Sequence, residues 1–125
     1  MNDQPPKLKV RSKVWLVDED GRMILGLGRV KMLETIHRLG SINAAAKELR
    51  MSTRAIYGRI KTTEEHLGRP LLVRNVGGAA GGGSKLTDYA VFLLDCFGQL
   101  NRDVEKEADR LFNETFTQKT NPDAS

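Results

Sequence analysis

The sequence predicts a mainly α-helical fold with a small amount of β structure (α+β). Three observations support this prediction: apolar residues recur at helical spacing over most of the chain, short alternating segments flank the first helices, and glycine marks several element ends. The 125 residues suffice for one core but not comfortably for two. With 39% hydrophobic and 29% charged residues, the composition is typical of a globular protein.

A β-hairpin is predicted near the start of the chain, after residues 1–7, which are expected to be disordered. Between Leu8 and Val17 apolar residues alternate with basic ones, a pattern typical of a half-buried strand. The letters "DEDG" at residues 18–21 predict a turn, and Met23 to Leu25 form a short return strand. The acids of this turn do not form a calcium loop, because the glycine follows them too early for an EF-hand.

Two helices are predicted after the hairpin. From Arg29 to Leu39 apolar residues form a wide stripe at helical spacing, and Gly40 stands at the expected C-cap. Either Ser41 or Asn43 caps the next helix, which ends near Met51 and has a face of alanines. These alanines permit close approach of a neighbouring helix.

A third helix is predicted to begin after Ser52, its N-cap, and to end at Gly68. Within it Ile56, Ile60 and Leu67 recur at helical spacing and are expected to face inward. The turn that joins it to the second helix has about three residues, which is the signature of a helix-turn-helix.

A glycine-rich loop separates two short predicted strands, "LLVRNV" at residues 71–76 and the pair Lys85 and Leu86. The loop invites a nucleotide-binding interpretation. A Walker A loop starting at Gly78 would place its second glycine at Gly83, followed by lysine and then a hydroxyl residue. Here Ser84 precedes the lysine, so the order is reversed. The dinucleotide-binding fingerprint fails as well. We therefore expect no enzyme activity and no cofactor.

A long helix is predicted to begin after Thr87, its candidate N-cap, and to continue to residue 115, followed by a disordered tail at 116–125. Its apolar residues follow alternating steps of four and three, typical of a seam between paired helices. The predicted dimerisation residues are Ala90, Leu93, Phe97, Leu100, Val104 and Leu111. The expected organisation is thus a domain at 8–86 and a dimerisation helix at 87–115.

Charge is distributed unevenly along the chain, whose net charge is +4. Residues 29–74 carry ten basic and four acidic groups, whereas residues 87–125 carry four basic and eight acidic ones. This asymmetry indicates a polyanionic partner for the central segment. No apolar run is long enough to span a membrane, and the start lacks a signal peptide, so a cytoplasmic location is expected. A single cysteine and two histidines are a poor basis for a zinc site, so no metal is expected.

The outward face of the third predicted helix is the candidate DNA-reading surface, because the N-terminal part of a recognition helix contacts base edges in the major groove. The candidate base contacts are Thr53, Arg54, Tyr57, Gly58 and Lys61. The candidate phosphate contacts are Ser52, Arg50, Arg59 and Arg69. The glycine loop, as a wing, adds Arg74, Gly77, Gly78, Gly81, Gly82, Gly83 and Lys85. The alternative is a solvated face of an ordinary helical domain.

The stretch "GSINAAAKELRMSTRAIYGRIKTTEEHLGRPLLVR" resembles the winged helix-turn-helix of LysR-type regulators, and "GGAAGGGSKLTDYA" resembles the DNA-binding domain of the ModE family of molybdate-responsive regulators. The resemblance covers about Val10 to Leu111. It implies a winged-helix fold with a leading β-hairpin, a homodimer and binding to double-stranded DNA at a palindromic operator. The chain departs from the family at Ala79, where members often carry lysine, and at Thr63, a usually apolar position that predicts looser packing.

Three functions remain open on the sequence. The first is a dimeric transcription regulator, and the second is a protein-interaction adaptor on a winged-helix scaffold, in which basic residues would be scattered or paired with Glu64 and Glu65. The third is a single-domain regulator that responds to molybdate or tungstate. Family members carry a C-terminal molybdate-binding module, whereas this chain stops at Ser125. Direct oxyanion sensing is therefore not expected, and a separate oxyanion-sensing partner is an alternative.

Overall fold

A computed structural model of the protein describes residues 7–74 and 83–123, with only the backbone of Arg74. The elements are β1 Leu16–Val17, β2 Met23–Leu25, α1 Leu27–Leu39, α2 Ile42–Leu49, α3 Thr53–Leu67, β3 Leu72–Arg74, β4 Ser84–Leu86 and α4 Asp88–Gln118. The predicted mainly helical fold with little β structure is confirmed. The chain divides into two compact units: one is Val14–Phe97, and the other combines the described parts of residues 1–13 and 98–125.

The leading hairpin is present, but the predicted strand from Leu8 to Val17 is wrong in length. Only β1 pairs, antiparallel to β2, with Leu16 opposite Leu25. The physical reason is the shortness of β2, which ends at Leu25 because Gly26 is already the N-cap of α1, so the residues before Leu16 have no partner there. Exposure still alternates from Val10 to Val17, as the pattern predicted. The alternation therefore predicts which side chains face inward, but it does not predict that these residues pair with another strand.

The caps of the first two helices follow from single residues. Gly40 adopts a left-handed conformation with φ +78° and donates its N–H to the Ile36 carbonyl at 2.7 Å, which ends α1 as predicted. Of the two candidate caps for α2, Ser41 has that role, since its Oγ accepts the Ala44 N–H at 2.9 Å. Helix α2 ends at Leu49, and its C-cap is Arg50, a non-glycine residue with φ +55°.

Helix α3 has the caps that its sequence predicts. Ser52 Oγ accepts the Ala55 N–H at 3.0 Å, and Gly68, with φ +70°, donates to the Glu64 carbonyl at 2.8 Å. Its inward residues Ile56 and Ile60 are fully buried. They belong to one apolar core together with Ile24, Leu25, Val30, Leu33, Ile36, Ile42, Ala45, Ala46, Leu71, Leu86, Ala90 and Phe97.

The base of the wing is an antiparallel ladder of β3 and β4, in which Leu72 lies opposite Leu86 and Arg74 opposite Ser84. Both predicted strands are therefore present, although β3 begins at Leu72 rather than at residue 71 and β4 begins at Ser84; residues 75 and 76 lie outside the described residues. The side chain of Glu64 ties this ladder to α3, because its Oε2 accepts the N–H groups of Leu71 at 2.6 Å and Leu72 at 3.2 Å. Helix and wing base are thus joined by one carboxylate.

Helix α4 begins after Thr87, as predicted. The Thr87 Oγ1 accepts the Ala90 N–H at 3.1 Å and donates its own proton to the Pro70 carbonyl at 3.0 Å. The helix continues to Gln118, past the predicted end at residue 115. The predicted division into 8–86 and 87–115 stays a prediction, since α4 contributes its first turns to the unit Val14–Phe97.

Candidate nucleic-acid interface

The outward face of α3 carries all five predicted base-contact residues. Since Ile56 and Ile60 are buried in the core, this periodicity turns the other side of the helix to solvent. The exposed residues are Thr53, Arg54, Tyr57, Gly58 and Lys61. The structure therefore brings them together on one accessible surface, which we call the α3 face.

The start of the α3 face contains a polar contact that sequence reasoning missed. Thr53 Oγ1 donates to the Oδ1 of Asn43 at 3.1 Å, and both residues are exposed. The sequence indicates Asn43 only as a candidate helix cap, whereas the structure shows it exposed beside Thr53. Ser52, a predicted phosphate contact, uses its Oγ lone pair as the cap of α3 and keeps its hydroxyl proton for another acceptor.

A second missed feature lies under α3. Arg29 of α1 donates from Nη1 to the carbonyl of Arg59 and to Thr63 Oγ1, the latter at 2.9 Å. Thr63 is only 1% exposed, and its hydroxyl donates to the Arg59 carbonyl at 3.1 Å. The polar residue at this usually apolar position is thus buried and hydrogen-bonded, and the looser packing stays a prediction. Burial, and secondarily the charge of Arg59, lowers the pKa of Arg29.

The predicted phosphate contacts Arg50, Arg59 and Arg69 are exposed. The Arg69 guanidinium lies 4.7 Å from the centre of the Tyr89 ring, which orients it through a cation–π contact. Within the described residues no salt bridge involves these arginines, Arg54 or Lys61.

The acidic neighbours of the α3 face do not neutralise it. Glu64 is engaged by the backbone of the wing base, and no ion pair of Glu65 occurs in the part of the chain that the structure describes. The pairing expected of a protein-interaction adaptor is therefore not observed among these residues. The positive charge of the surface remains available to an anionic partner.

The wing is described only at its base. Gly77, Gly78, Gly81 and Gly82, like Ala79, lie outside the described residues, and only the backbone of Arg74 is seen. Gly83 is half-buried beside β4, and Lys85 is exposed opposite Val73. The side chain of Lys85 is therefore accessible at the root of the wing.

The predicted dimerisation residues of α4 fall into two classes. Ala90 and Phe97 lie in the core, with Phe97 only 3% exposed, whereas Leu93 is partly buried. In the other unit, Val104 is partly buried and Leu100 and Leu111 are exposed. The sequence pattern also missed Phe92, which is 60% exposed near the start of α4.

Neither a metal site nor a membrane span is found in the parts of the chain that the structure describes. No group of three histidine, cysteine, aspartate or glutamate side chains within 7–74 and 83–123 is arranged to hold a metal ion. None of the described helices is long and apolar enough to cross a membrane.

Comparison with known sequences identifies several relatives. ModE of Azotobacter vinelandii, described as a molybdenum transport protein, is 38% identical over 95 residues, which are 76% of this chain and 35% of that protein. The transcriptional regulator ModE of Haemophilus influenzae is 42% identical over 77 residues, 62% of this chain and 30% of that protein. MopB of Rhodobacter capsulatus, a molybdenum-pterin-binding protein, is 35% identical over 82 residues, 66% of this chain and 30% of that protein. The chain thus spans about a third of the length of these relatives.

Solved structures show the same fold. The DNA-binding domain of CbnR, solved with DNA, has a TM-score of 0.54 at 23% identity and covers 73% of this chain and 99% of that chain. The corresponding domain of BenM, solved with benA site 1 DNA, has a TM-score of 0.51 at 19% identity and covers 77% of this chain and all of that chain. These likenesses confirm the predicted winged-helix fold.

The family is shown by the match of residues 27–90, just over half of the chain, to the model described as bacterial regulatory helix-turn-helix protein, lysR family. The match begins with α1 and ends in the first turn of α4, so it includes the helix pair and the wing base described above. The predicted resemblance to LysR-type and ModE regulators is confirmed. The chain belongs to the lysR family of bacterial regulatory helix-turn-helix proteins.

Proposed function

We propose that the chain is a dimeric, sequence-specific DNA-binding transcription regulator that acts in the cytoplasm on a palindromic operator. One observation carries the proposal: the α3 face groups Arg54, Tyr57 and Lys61 on an exposed helix, and no ion pair within the described residues neutralises its cations. The named function of the Haemophilus influenzae relative, a transcriptional regulator, agrees with it. Helix α3 would enter the major groove.

The roles of individual residues follow from their positions. Near the start of α3, Thr53 and Arg54 would contact base edges, and the arginine could make a bidentate contact to guanine. Arg50, Arg59 and Arg69 would contact phosphates, which position the protein without reading sequence. At the wing root, Lys85 would reach the backbone beside the recognition site.

Binding is tested by fluorescence anisotropy with duplexes selected from genomic fragments. We expect tight binding that weakens steeply with salt, because neutralising each phosphate releases counterions. As a control, Arg102→Ala removes one positive charge outside the α3 face, on α4, where Arg102 donates to Gln99. Absence of salt-dependent binding to any genomic duplex would overturn the proposal.

Dimerisation through α4 is part of the proposal. Because Ala90 and Phe97 are used by the core of the monomer, the second copy would be held by apolar residues that remain exposed, Phe92 in one unit and Leu100 and Leu111 in the other. A twofold dimer would place two recognition helices about 34–36 Å apart, or a multiple of that spacing.

The dimer is tested by sedimentation equilibrium of wild type and of Leu111→Glu. The variant should be monomeric at concentrations where wild type is dimeric, since a buried charge opposes apolar pairing. A matched Asp109→Glu variant should leave the assembly unchanged. A wild-type monomer over the whole concentration range would contradict the dimer and leave DNA binding standing.

A response to molybdate is the second candidate, favoured by the molybdenum-related names of the relatives. Either this chain or a separate oxyanion-sensing partner would receive the signal. Thermal unfolding with molybdate or tungstate distinguishes the two, because a ligand that binds the native state raises its midpoint. An unchanged midpoint excludes sensing by this chain alone.

A further inference from the structure

Gly58 occupies an unusual position for a glycine. It lies in the interior of α3 on the α3 face, one turn after Arg54 and one turn before Lys61. In the interior of a helix, glycine is less favourable than alanine because it loses more backbone freedom on folding. Its presence at the centre of the exposed face therefore calls for a specific cause.

The described part of the chain contains no internal reason for this glycine. A Cβ atom built at Gly58 meets no heavy atom within 4 Å. Its backbone is ordinary helix, and the glycines with positive φ are Gly21, Gly40 and Gly68. Alanine would thus fit the folded protein without strain or collision. The explanation for glycine at this position therefore has to come from a partner that docks on the α3 face.

The surface that Gly58 exposes is apolar. Its carbonyl oxygen accepts Thr62 Oγ1 at 2.9 Å in addition to its helical bond, and its N–H is used within the helix. The Cα hydrogens are then what the main chain offers to a partner at this point. A group that docks at Gly58 therefore makes van der Waals contact with the main chain rather than a hydrogen bond.

The dimensions of DNA make such a recess useful. A helix with its side chains is about 10–12 Å across, and the major groove is about 12 Å wide, so an ordinary helix nearly fills it. Omitting one side chain at the groove-facing centre lets a base edge approach the helix main chain. The apolar group on a base edge in this groove is the 5-methyl of thymine.

We propose that Gly58 is a specificity-determining residue, whose recess between Arg54 and Lys61 receives the 5-methyl group of one thymine in each operator half-site. The proposal rests on the proposed DNA binding and deepens it. The recess selects a thymine, and any side chain at position 58 excludes the base edge.

The first test compares Gly58→Ala with the matched change Gly28→Ala. Gly28 is also exposed and helical, and a Cβ there likewise meets nothing within 4 Å. The probe is the tightest duplex selected from a random library with the wild-type protein. Gly58→Ala should raise the midpoint of thermal unfolding and weaken binding to this duplex about tenfold, the scale of a lost base contact. Gly28→Ala should leave the affinity unchanged.

The second test uses Gly58→Arg, for which two explanations predict opposite signs. If the α3 face acted only through charge, an added cation would tighten binding to every duplex. If the recess is required, the same variant binds the selected duplex more weakly while it binds a scrambled duplex more tightly. Tighter binding to both duplexes, or equal binding by Gly58→Ala and wild type, overturns the recess.

The third test replaces each thymine of the selected duplex by deoxyuridine, which lacks the methyl group. One position per half-site should cost wild type about fourfold in affinity, the scale of one buried methyl group, and cost Gly58→Ala nothing. If no position shows this coupling, the assignment of the recess to thymine is overturned. Failure of the proposed function is a separate result, since wild type would then bind no duplex in a salt-dependent way.

Discussion

The α3 face and the part of α4 beyond Gly98 are both exposed and charged, but they differ in whether their basic residues form ion pairs. Arg110 of α4 donates to Glu107 and, at 2.7 Å, to Glu114, so its charge is compensated within the same helix. These bonds raise the pKa of Arg110 further above its ordinary value. On the α3 face, Arg54 and Lys61 have no such acid among the described residues. Charge that is paired along its own helix suits a solvated surface, and uncompensated clustered charge suits a polyanion.

Among these variants, Arg54→Ala is expected to have the largest effect, a loss of DNA affinity. The free energy of binding to the selected duplex should weaken by about 1–3 kcal/mol, with relaxed preference at one base position, because the variant would lose the proposed contact to a base edge. Arg110→Ala should leave DNA affinity unchanged, although it removes the same charge. Anisotropy titrations at one salt concentration measure both. Equal losses in the two variants would mean that total charge, rather than its placement, governs binding.

Thr63→Val tests how much the buried side of α3, as opposed to the α3 face, contributes to the stability of the protein. The free energy of unfolding should fall by about 1 kcal/mol, because Arg29 loses an acceptor in a partly buried site. The control is Thr62→Val, which makes the same change at an exposed position and should stay within about 0.5 kcal/mol of wild type. Urea denaturation measures both values. A stability unaffected by Thr63→Val would show that the Arg29 contact contributes nothing.

Arg59→Ala sharpens the distinction between phosphate and base contacts on α3. Binding to all duplexes should weaken to a similar degree, and the slope of affinity against salt should decrease by about one counterion. The Arg59 carbonyl, which accepts Arg29, is retained in the variant. A loss confined to the selected duplex would instead assign Arg59 to base reading.

The smallest expected effect concerns the pH dependence of stability at Asp18, which, like Arg110, is paired with an opposite charge nearby in the sequence. Its carboxylate accepts the Arg22 backbone N–H at 2.9 Å and a guanidinium N–H of Arg22 at 2.7 Å, and the backbone bond is the chief cause that lowers the pKa of Asp18 below its ordinary value. The resulting stabilisation is present above the unfolded pKa of about 3.9 and is lost as pH falls through the lower folded value. NMR titration should show the lowered pKa in wild type and, less strongly, in Arg22→Ala. An ordinary pKa in Arg22→Ala would make the guanidinium the main cause.

Local chemistry made much of the fold predictable. Ser52, Gly40, Gly68 and Thr87 end or begin helices through bonds to residues three or four positions away, and a sequence displays such relations directly. The exposed residues of α3 were predictable for the same reason, because burial of Ile56 follows from helical spacing.

Features that depend on distant partners were not predictable. Alternation from residue 8 to 17 indicates a face but not the length of the strand that pairs with it. Helical spacing cannot tell whether Phe97 packs on its own core or on another chain. The bond between Arg29 and Thr63 joins residues that are far apart in the sequence, so it emerges only with the fold. Asn43 beside Thr53 is a similar case.

The bonds from Glu64 to the backbone of Leu71 and Leu72 have a kinetic consequence for the proposed regulator. Because α3 and the wing base are already held together in the free protein, association with a duplex requires no ordering step between them. The association rate is then set by electrostatic encounter and should be similar for many sequences. Discrimination among operators appears in residence time, since related complexes differ mainly in their dissociation rates.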